Sequence, residues 1–250
     1  MAVYRGLDVG TAKPASRDRE AVPHHCLDLV PAAAGFSVAD WLAAAAAAVE
    51  GCRARGRGIL FVGGTPLYLR ALRDGLAELP PADPTIRAAL GETAAQIGTA
   101  ALHRRLEQVD PASAARIHPN DLKRIIRALE VAELTGEPLS AAFAPAPDPL
   151  FESRLMILDV TRHQLAERID RRVEAMFAGG LVEETEAALA AAGIGPTASQ
   201  AAGYTEAIDL LAGRIDRAEA IRRTKLRTRQ LAKRQRTWLR SFKTATWIGG

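Results

Sequence analysis

This sequence predicts an α/β fold whose parallel-sheet core is interrupted by an all-helical segment, and three observations carry that reading. Cys26–Val30, an alanine-rich helix from Trp41 and the apolar run Ile59–Val62 follow one another as strand, helix and strand. That is the order of a βαβ unit with a right-handed crossover. Ile59–Val62 then leads through Gly63-Gly64 into a further helix. Two proline-dense stretches, Leu79–Pro84 and Ala144–Pro149, bracket a pattern that is helical throughout, and prolines this dense stop helices and punctuate domains.

The elements follow in order. Val3–Pro14 packs two glycines, one proline and three charged residues into twelve positions, so it reads as a rim loop with one or two extended pieces. Ser37-Val-Ala-Asp40 resembles a capping box, with Asp in place of the usual Glu. The helix it opens runs to about Arg55 on alanine's propensity. Ile59–Val62 is a continuous run of strand formers, as a strand buried on both faces requires. Gly63-Gly64 ends it with backbone freedom, Thr65 suits an N-cap and Pro66 the first helical position. Leu67, Leu69 and Leu72 supply that helix's apolar face. Such a strand–glycine–helix junction places free N–H groups at the C-terminal edge of a sheet, where α/β proteins bind ligands. An ordinary tight turn is the alternative.

The helical segment holds helices over about Thr85–Gln96 and Thr99–Gln108, a third capped by Asp110-Pro111, and a fourth capped by Asn120 that runs to Thr135 before Gly136. Lys123, Arg124 and Arg127 share a face of the fourth, while Ile126, Leu129 and Leu134 are available to face inward. That basic face is either solvated or a polyanion contact. The domains read as an α/β core of residues 1–82 and 147–250, with residues 83–146 as an inserted helical domain. Beyond it, Leu155–Val160 is a core strand. A helix from Arg162 to Ala178 carries Arg168, Arg171 and Arg172 and stops at Gly179-Gly180. Gln200-Ala-Ala-Gly203-Tyr204 turns into the next helix, a basic helix follows, and Ala245–Ile248 is extended. No internal repeat is present.

Composition narrows the classes. Apolar residues make up 48% and charged residues 25% of the chain, as in an ordinary soluble globular protein. The longest apolar stretch, Trp41–Val49, is too short to cross a bilayer and lacks the surroundings of a signal peptide. Cys26 and Cys52 have no metal-ligand spacing, which points to a reduced, cytoplasmic setting. Arg214–Lys243 holds 12 Lys and Arg against 2 Asp and Glu, an excess of +10 that leaves the rest of the chain at −6. A basic end on an acidic body suits a polyanionic partner.

Several stretches, in order, resemble the tRNA dimethylallyltransferases (isopentenyl-diphosphate:tRNA transferases). They are Val3-Tyr-Arg-Gly-Leu-Asp-Val-Gly-Thr-Ala-Lys-Pro14, Val62-Gly-Gly-Thr-Pro-Leu-Tyr68, Asp83-Pro84 with Arg87, and Ile117-His-Pro-Asn-Asp121 running into Arg124 and Arg127. Gln200-Ala-Ala-Gly-Tyr204 and Thr228-Arg-Gln-Leu-Ala-Lys-Arg-Gln235 complete the set. The resemblance implies a P-loop nucleotide-kinase-like core with an inserted tRNA-binding helical domain. It implies a monomer that uses Mg²⁺ to transfer a dimethylallyl group from dimethylallyl diphosphate to the exocyclic amine of the adenosine 3′ to the anticodon. A diphosphate leaving group needs positive charge where its own charge develops. Arg172, in Arg168-Ile-Asp-Arg-Arg172, is the retained diphosphate ligand, with Arg229 and Lys233 as helpers or as surface charge. An adenine must leave its stack to be alkylated. Met1, Ala2, Tyr4, Thr65, Gln200, Ala201, Gly203 and Tyr204 match tRNA-contacting or pocket positions. Arg87, Lys123, Arg124, Ile125, Ile126 and Arg127 would meet the anticodon stem-loop, setting register more than sequence.

The chain also departs from the pattern. Family members begin with a strand and a phosphate loop ending Gly-Lys-Ser/Thr, and carry an Asp-Ser pair just before the stretch matching Met1–Tyr4. None of the five lysines here follows a glycine, so no phosphate loop is present, and Ala2 stands where many relatives carry Gln. The first strand, the diphosphate cradle, the Mg²⁺-binding hydroxyl and the general-base Asp are expected to be missing, with no metal ligand among the residues given. On that reading the chain as given is inactive. The alternative is a non-catalytic tRNA-binding remnant. A small-molecule kinase fits poorly, since it needs the same loop and has no use for the basic end.

Overall fold

The computed structural model describes residues 1–142 and 154–249. The stretch Ala144–Pro149 and the expected 146/147 boundary lie outside them. The short strands are β1 (Tyr4–Arg5), β2 (Val30–Pro31), β3 (Met156–Asp159) and β4 (Thr246–Gly249). The helices before residue 140 are α1 (Ser16–Ala21), α2 (Val38–Ala54), α3 (Pro66–Asp74), α4 (Pro84–Ile97), α5 (Thr99–Val109), α6 (Pro111–Ala114) and α7 (Leu122–Thr135). Those after it are α8 (Arg162–Ala178), α9 (Leu181–Ala191), α10 (Tyr204–Leu211) and α11 (Arg217–Leu239). No helix among the described residues is long and apolar enough to cross a membrane. The chain divides into two compact units, Met1–Arg73 with Leu150–Gly250, and Asp74–Pro149.

The first unit pairs its strands in parallel, but as two separate ladders. Tyr4 lies opposite Val30 in one, and Met156 opposite Thr246 in the other. Ile59–Val62, expected as a buried strand, is irregular and open, with Leu60 77% and Val62 88% exposed. An apolar run becomes a strand only where neighbours satisfy its backbone and cover its faces. No described strand lies beside this one, so the expected βαβ unit does not close. The strand expected over Cys26–Val30 shrinks for a local reason: Cys26 and Asp28 sit at φ 59° and 54°, a left-handed conformation no strand accommodates. Of β3, only Ile157 is buried; Met156 and Leu158 are exposed.

Helices carry this unit's core. Residues of α8, α9, α10 and α11 close around Val173, Met176, Phe177, Leu181, Tyr204 and Ala220. The Val3–Pro14 stretch, expected at a rim, joins that core through Val3, Tyr4 and Leu7. Its Lys13 side chain is 1% exposed, ion-paired with Asp8 and Asp28 and donating to the Tyr4 carbonyl. The capping box of α2 is complete: Asp40 N–H donates to Ser37 Oγ, and Ser37 N–H to the Asp40 carboxylate at 2.8 Å. Trp41 of α2 stacks on Tyr68 of α3 with ring centroids 4.5 Å apart. On α3 the expected apolar face is partial, for Leu72 is buried but Leu67 is 49% exposed.

The second unit is helical. α4, α5, α6 and α7 bury Leu90, Leu102, Leu106, Ile125, Leu129 and Val131. Asp83 caps α4 through the N–H groups of Thr85 and Ile86, and Asp110 caps α6 through Ser113. The cap of α7 is Asp121, which accepts from Arg124 N–H, rather than the expected Asn120. Asn120 instead donates its own N–H to His118. Gly136 ends α7 at φ 74°, where glycine avoids the left-handed penalty. Leu134, expected to face inward, is 39% exposed, while Leu129 is buried and Ile126 half-buried.

Candidate functional site

In the first unit, α8 and α11 flank a groove of about 280 Å³. Arg162 stands on one side, Arg229, Lys233, Arg236 and Arg240 on the other, over Leu165, Ile169 and Ala232. The helical spacing of 229, 233, 236 and 240 sets these four cations on one stripe. Their states differ. Arg229 Nε donates to Asp170 Oδ1 at 3.1 Å, and its Nη2 pairs with the same carboxylate. Arg236 is held by the Val160 carbonyl at 3.0 Å and Asp159 Oδ1 at 2.9 Å. Lys233 and Arg240 are exposed, with no side-chain ion pair to another described residue. Of the diphosphate candidates, Arg229 and Lys233 therefore line the groove. Arg172 does not line it; it is exposed one turn along α8 from Ile169.

A second cluster joins the glycine turns. Gln235, on another face of α11, donates Nε2 to the Gly64 carbonyl at 2.7 Å. A Cβ at Gly64 would stand 2.7 Å from that nitrogen. Arg70 of α3 lies over Trp238, 5.0 Å from its ring centroid, and Arg73 over Phe242 at 4.7 Å. The turn bearing Thr65, itself exposed, is thus fastened to the end of the basic helix.

The other tRNA candidates of this unit divide by burial. Met1 and Gln200 are exposed, Ala2 is half-buried, and Ala201, Gly203, Tyr4 and Tyr204 are buried. Gln200 Nε2 donates to the Pro196 carbonyl at 3.0 Å. Gly203 has φ 95°, and a Cβ there would meet Leu181 Cδ2 at 2.7 Å, so its glycine serves a close approach. Tyr204 has no exposed surface, and its hydroxyl donates to Glu184 Oε1 at 2.6 Å. Burial, then the bond to Glu184, pushes its phenol well above the ordinary tyrosine range. Burial also pushes the Tyr4 phenol up.

In the second unit the basic face is organised by an acid. Glu130 is fully buried and accepts Arg87 Nε at 2.8 Å and Nη2 at 3.0 Å, Arg127 Nη1 at 2.6 Å and Asp83 N–H at 2.7 Å. Burial works to raise its pKa, but the Arg87 and Arg127 bonds outweigh it and hold the carboxyl below the usual range. Arg127 also donates to the Pro80 carbonyl. Lys123 is exposed, and among the described residues the Arg124 guanidinium pairs with Asp121 alone, at 3.4 Å. Ile125 is 0% exposed, so its side chain packs the core and has no surface for a ligand; Ile126 is half-buried.

Glu130 and Glu184 escaped the sequence reading. Glu130 stands three residues after Arg127, the spacing at which helical side chains meet. Glu184 lies in the first turn of α9, where acids favour a helix N-terminus. Among the described residues no group of three or more His, Cys, Asp or Glu could hold a metal ion. The residues described therefore do not make a protein cage for Mg²⁺.

A family model described as IPP transferase matches residues 2–242 of the chain. A tRNA dimethylallyltransferase of Anaeromyxobacter sp. (strain K) is 49% identical over 248 residues, which are 98% of this chain and 81% of that protein. Among solved structures, the full-length tRNA isopentenylpyrophosphate transferase of Bacillus halodurans is 38% identical. It aligns with a TM-score of 0.68 over 99% of this chain and 78% of its own. A eukaryotic dimethylallyltransferase acting on tRNA is 24% identical and shares the fold, with a TM-score of 0.81 over 100% of this chain and 65% of its own.

Proposed function

The chain belongs to the IPP transferase family, and on that premise we propose that it is a tRNA dimethylallyltransferase. It moves a dimethylallyl group from dimethylallyl diphosphate to the exocyclic amine of the adenosine 3′ to the anticodon. The C1–O bond of the donor breaks with its electron pair leaving on diphosphate. The amine nitrogen forms the new C–N bond and loses one proton. We extend the proposal to a P-loop nucleotide-kinase-like fold for the core and to a tRNA-binding role for the helical residues 83–146.

The observation that supports this reading is the groove between α8 and α11. Its Leu165, Ile169 and Ala232 suit a short apolar chain, and its cations suit a polyanion. Among the described residues no carboxylate pairs with Lys233 to divide its charge, while Asp170 fixes the Arg229 fork. Arg172 extends the positive surface along α8. Charge so arranged stabilises a leaving diphosphate most as its negative charge grows. In the helical unit, Lys123 is exposed, Arg124 is exposed beside Asp121, and Arg87 and Arg127 stand on Glu130, a set suited to stem-loop phosphates.

Incubating the protein with labelled dimethylallyl diphosphate, Mg²⁺ and unmodified tRNA tests the proposal. Label in the nucleotide 3′ to the anticodon is the expected result. A second reading, a tRNA-binding protein without transfer, is favoured by one observation: no lysine in the sequence follows a glycine. Tight, salt-sensitive tRNA binding with no incorporated label would select it.

A further inference from the structure

Glu184 belongs to none of the motif stretches, yet its carboxylate gathers four donors. Oε2 accepts the backbone N–H of Asp8 at 2.7 Å and of Val9 at 2.8 Å. Oε1 accepts the Tyr204 hydroxyl at 2.6 Å and, more weakly, Gly10 N–H at 3.4 Å. Successive backbone amides turned toward one anion form a nest of the kind that elsewhere cradles phosphate. Here the protein fills the nest with its own carboxylate. A Cβ at Gly10 would lie 2.4 Å from Tyr204 Cε2, so the turn and the ring fit only with glycine there.

The need for such an anchor follows from the local structure. β1 has two residues, and beyond it the turn's own backbone bonds are short-range, Ala12 N–H to Val9 O and Lys13 N–H to Asp8 O. A stretch with so few ladder bonds keeps its shape only if something outside it does the holding. Tyr204 opens α10 directly after the Gln200–Gly203 turn, so the acceptor of its hydroxyl fixes that turn too.

We infer that Glu184 is a positioning residue, holding the Asp8–Gly10 turn, and with it the Met1–Tyr4 stretch that leads into it, against the Gln200–Tyr204 turn, so that the tRNA candidates Met1, Ala2 and Tyr4 keep a fixed spacing from Gln200 and its neighbours. The inference rests on the tRNA reading proposed above. Tyr204 then serves tRNA from within, as a strut. The charge matters, because an amide at 184 has one acceptor oxygen: turned to the Asp8 and Val9 N–H groups, it sets its NH₂ toward the Tyr204 hydroxyl and Gly10 N–H, and the bonds that remain lose their charge assistance.

Three measurements on the protein test this. In Glu184→Gln, exchange of the Asp8 and Val9 amides should quicken on the order of tenfold, the loss expected of charge-assisted bonds. Apparent tRNA affinity should weaken by a similar factor, while the KM for dimethylallyl diphosphate stays unchanged. In Glu184→Ala, added formate should restore tRNA affinity and chloride should not, since formate can reoccupy the nest. Unchanged tRNA affinity in Glu184→Gln, or equal losses for both substrates with no formate rescue, overturns the inference alone. Failure of the unaltered protein to bind tRNA would instead overturn the proposed function and this inference with it.

Discussion

Replacing Glu130 by Gln keeps the side chain's shape and removes the charge on which the second unit's basic face is built. Glu130 is fully buried and receives two bonds from Arg87, one from Arg127 and one from Asp83 N–H. Stranding the partner of a fully buried ion pair costs about 3–5 kcal/mol. Arg87 and Arg127 keep side-chain exposures of 45% and 26%, so water recovers part of their solvation. The expected loss is then about 2–3 kcal/mol of the unit's stability. Hydrogen exchange of the buried amides Ile125 and Ala128–Val131, followed across a urea series, measures it directly.

The same variant predicts a change in acid response. The folded Glu130 carboxyl is held below its ordinary value. Its stabilisation is therefore complete above about pH 4.3, the unfolded value, and is lost as pH falls through the lower folded value. Glu130→Gln should flatten that acid limb without abolishing it. Asp110, held low by bonds from Ser113 and Ser140 despite its burial, contributes in the same direction, as do Asp28 and Asp40 of the first unit. A variant within about 0.5 kcal/mol of the parent protein, the scatter of ordinary surface changes, or one with an unaltered acid limb, would refute the reasoning.

Three further outcomes are expected. Gly203→Ala should cost about 1–3 kcal/mol, because φ 95° and Leu181 Cδ2 at 2.7 Å leave no room for a methyl; thermal unfolding reads it, and a neutral result would mean that Leu181 gives way. Arg172→Ala should lower single-turnover prenyl transfer and barely alter tRNA affinity; a loss wholly in tRNA binding would move Arg172 off the diphosphate. Affinity for an anticodon stem-loop should fall with salt as if about four to six counterions were released; a flat titration, or equal affinity for unrelated duplex DNA, would remove the polyanion reading.

What the sequence made legible was local. The capping box at Ser37, the Asp110 cap, Gly136 and the limits of α8 each depend on residues within one helical turn, and each is present. α9 was missed because Gly179-Gly180 reads as a stop, although Leu181 opens a new helix just beyond it. Ile59–Val62 shows the opposite limit. Its composition is that of a strand, but strand formation depends on neighbours that no local pattern contains. The glycines were found as turn signals, yet Gly10 and Gly64 are constrained by Tyr204 and Gln235, far along the chain.

The basic helix makes the same point for the site. Sequence counts 12 cations between Arg214 and Lys243, but most of them meet carboxylates. Arg214 pairs with Asp209, Arg222 and Arg223 with Glu219, and Lys225 with Glu174. Arg227 pairs with Glu206, Arg229 with Asp170 and Arg236 with Asp159. An exposed cation already facing a carboxylate contributes little field at a distance, since the two charges screen one another and solvent screens both. Lys233, Arg234, Arg240 and Lys243 lack such a partner among the described residues, and they gather at the C-terminal end of the segment. Lys233 and Arg240 lie along the groove with α8. The composition located the right helix and overstated its charge; pairing decides which part of it an anion would meet undivided.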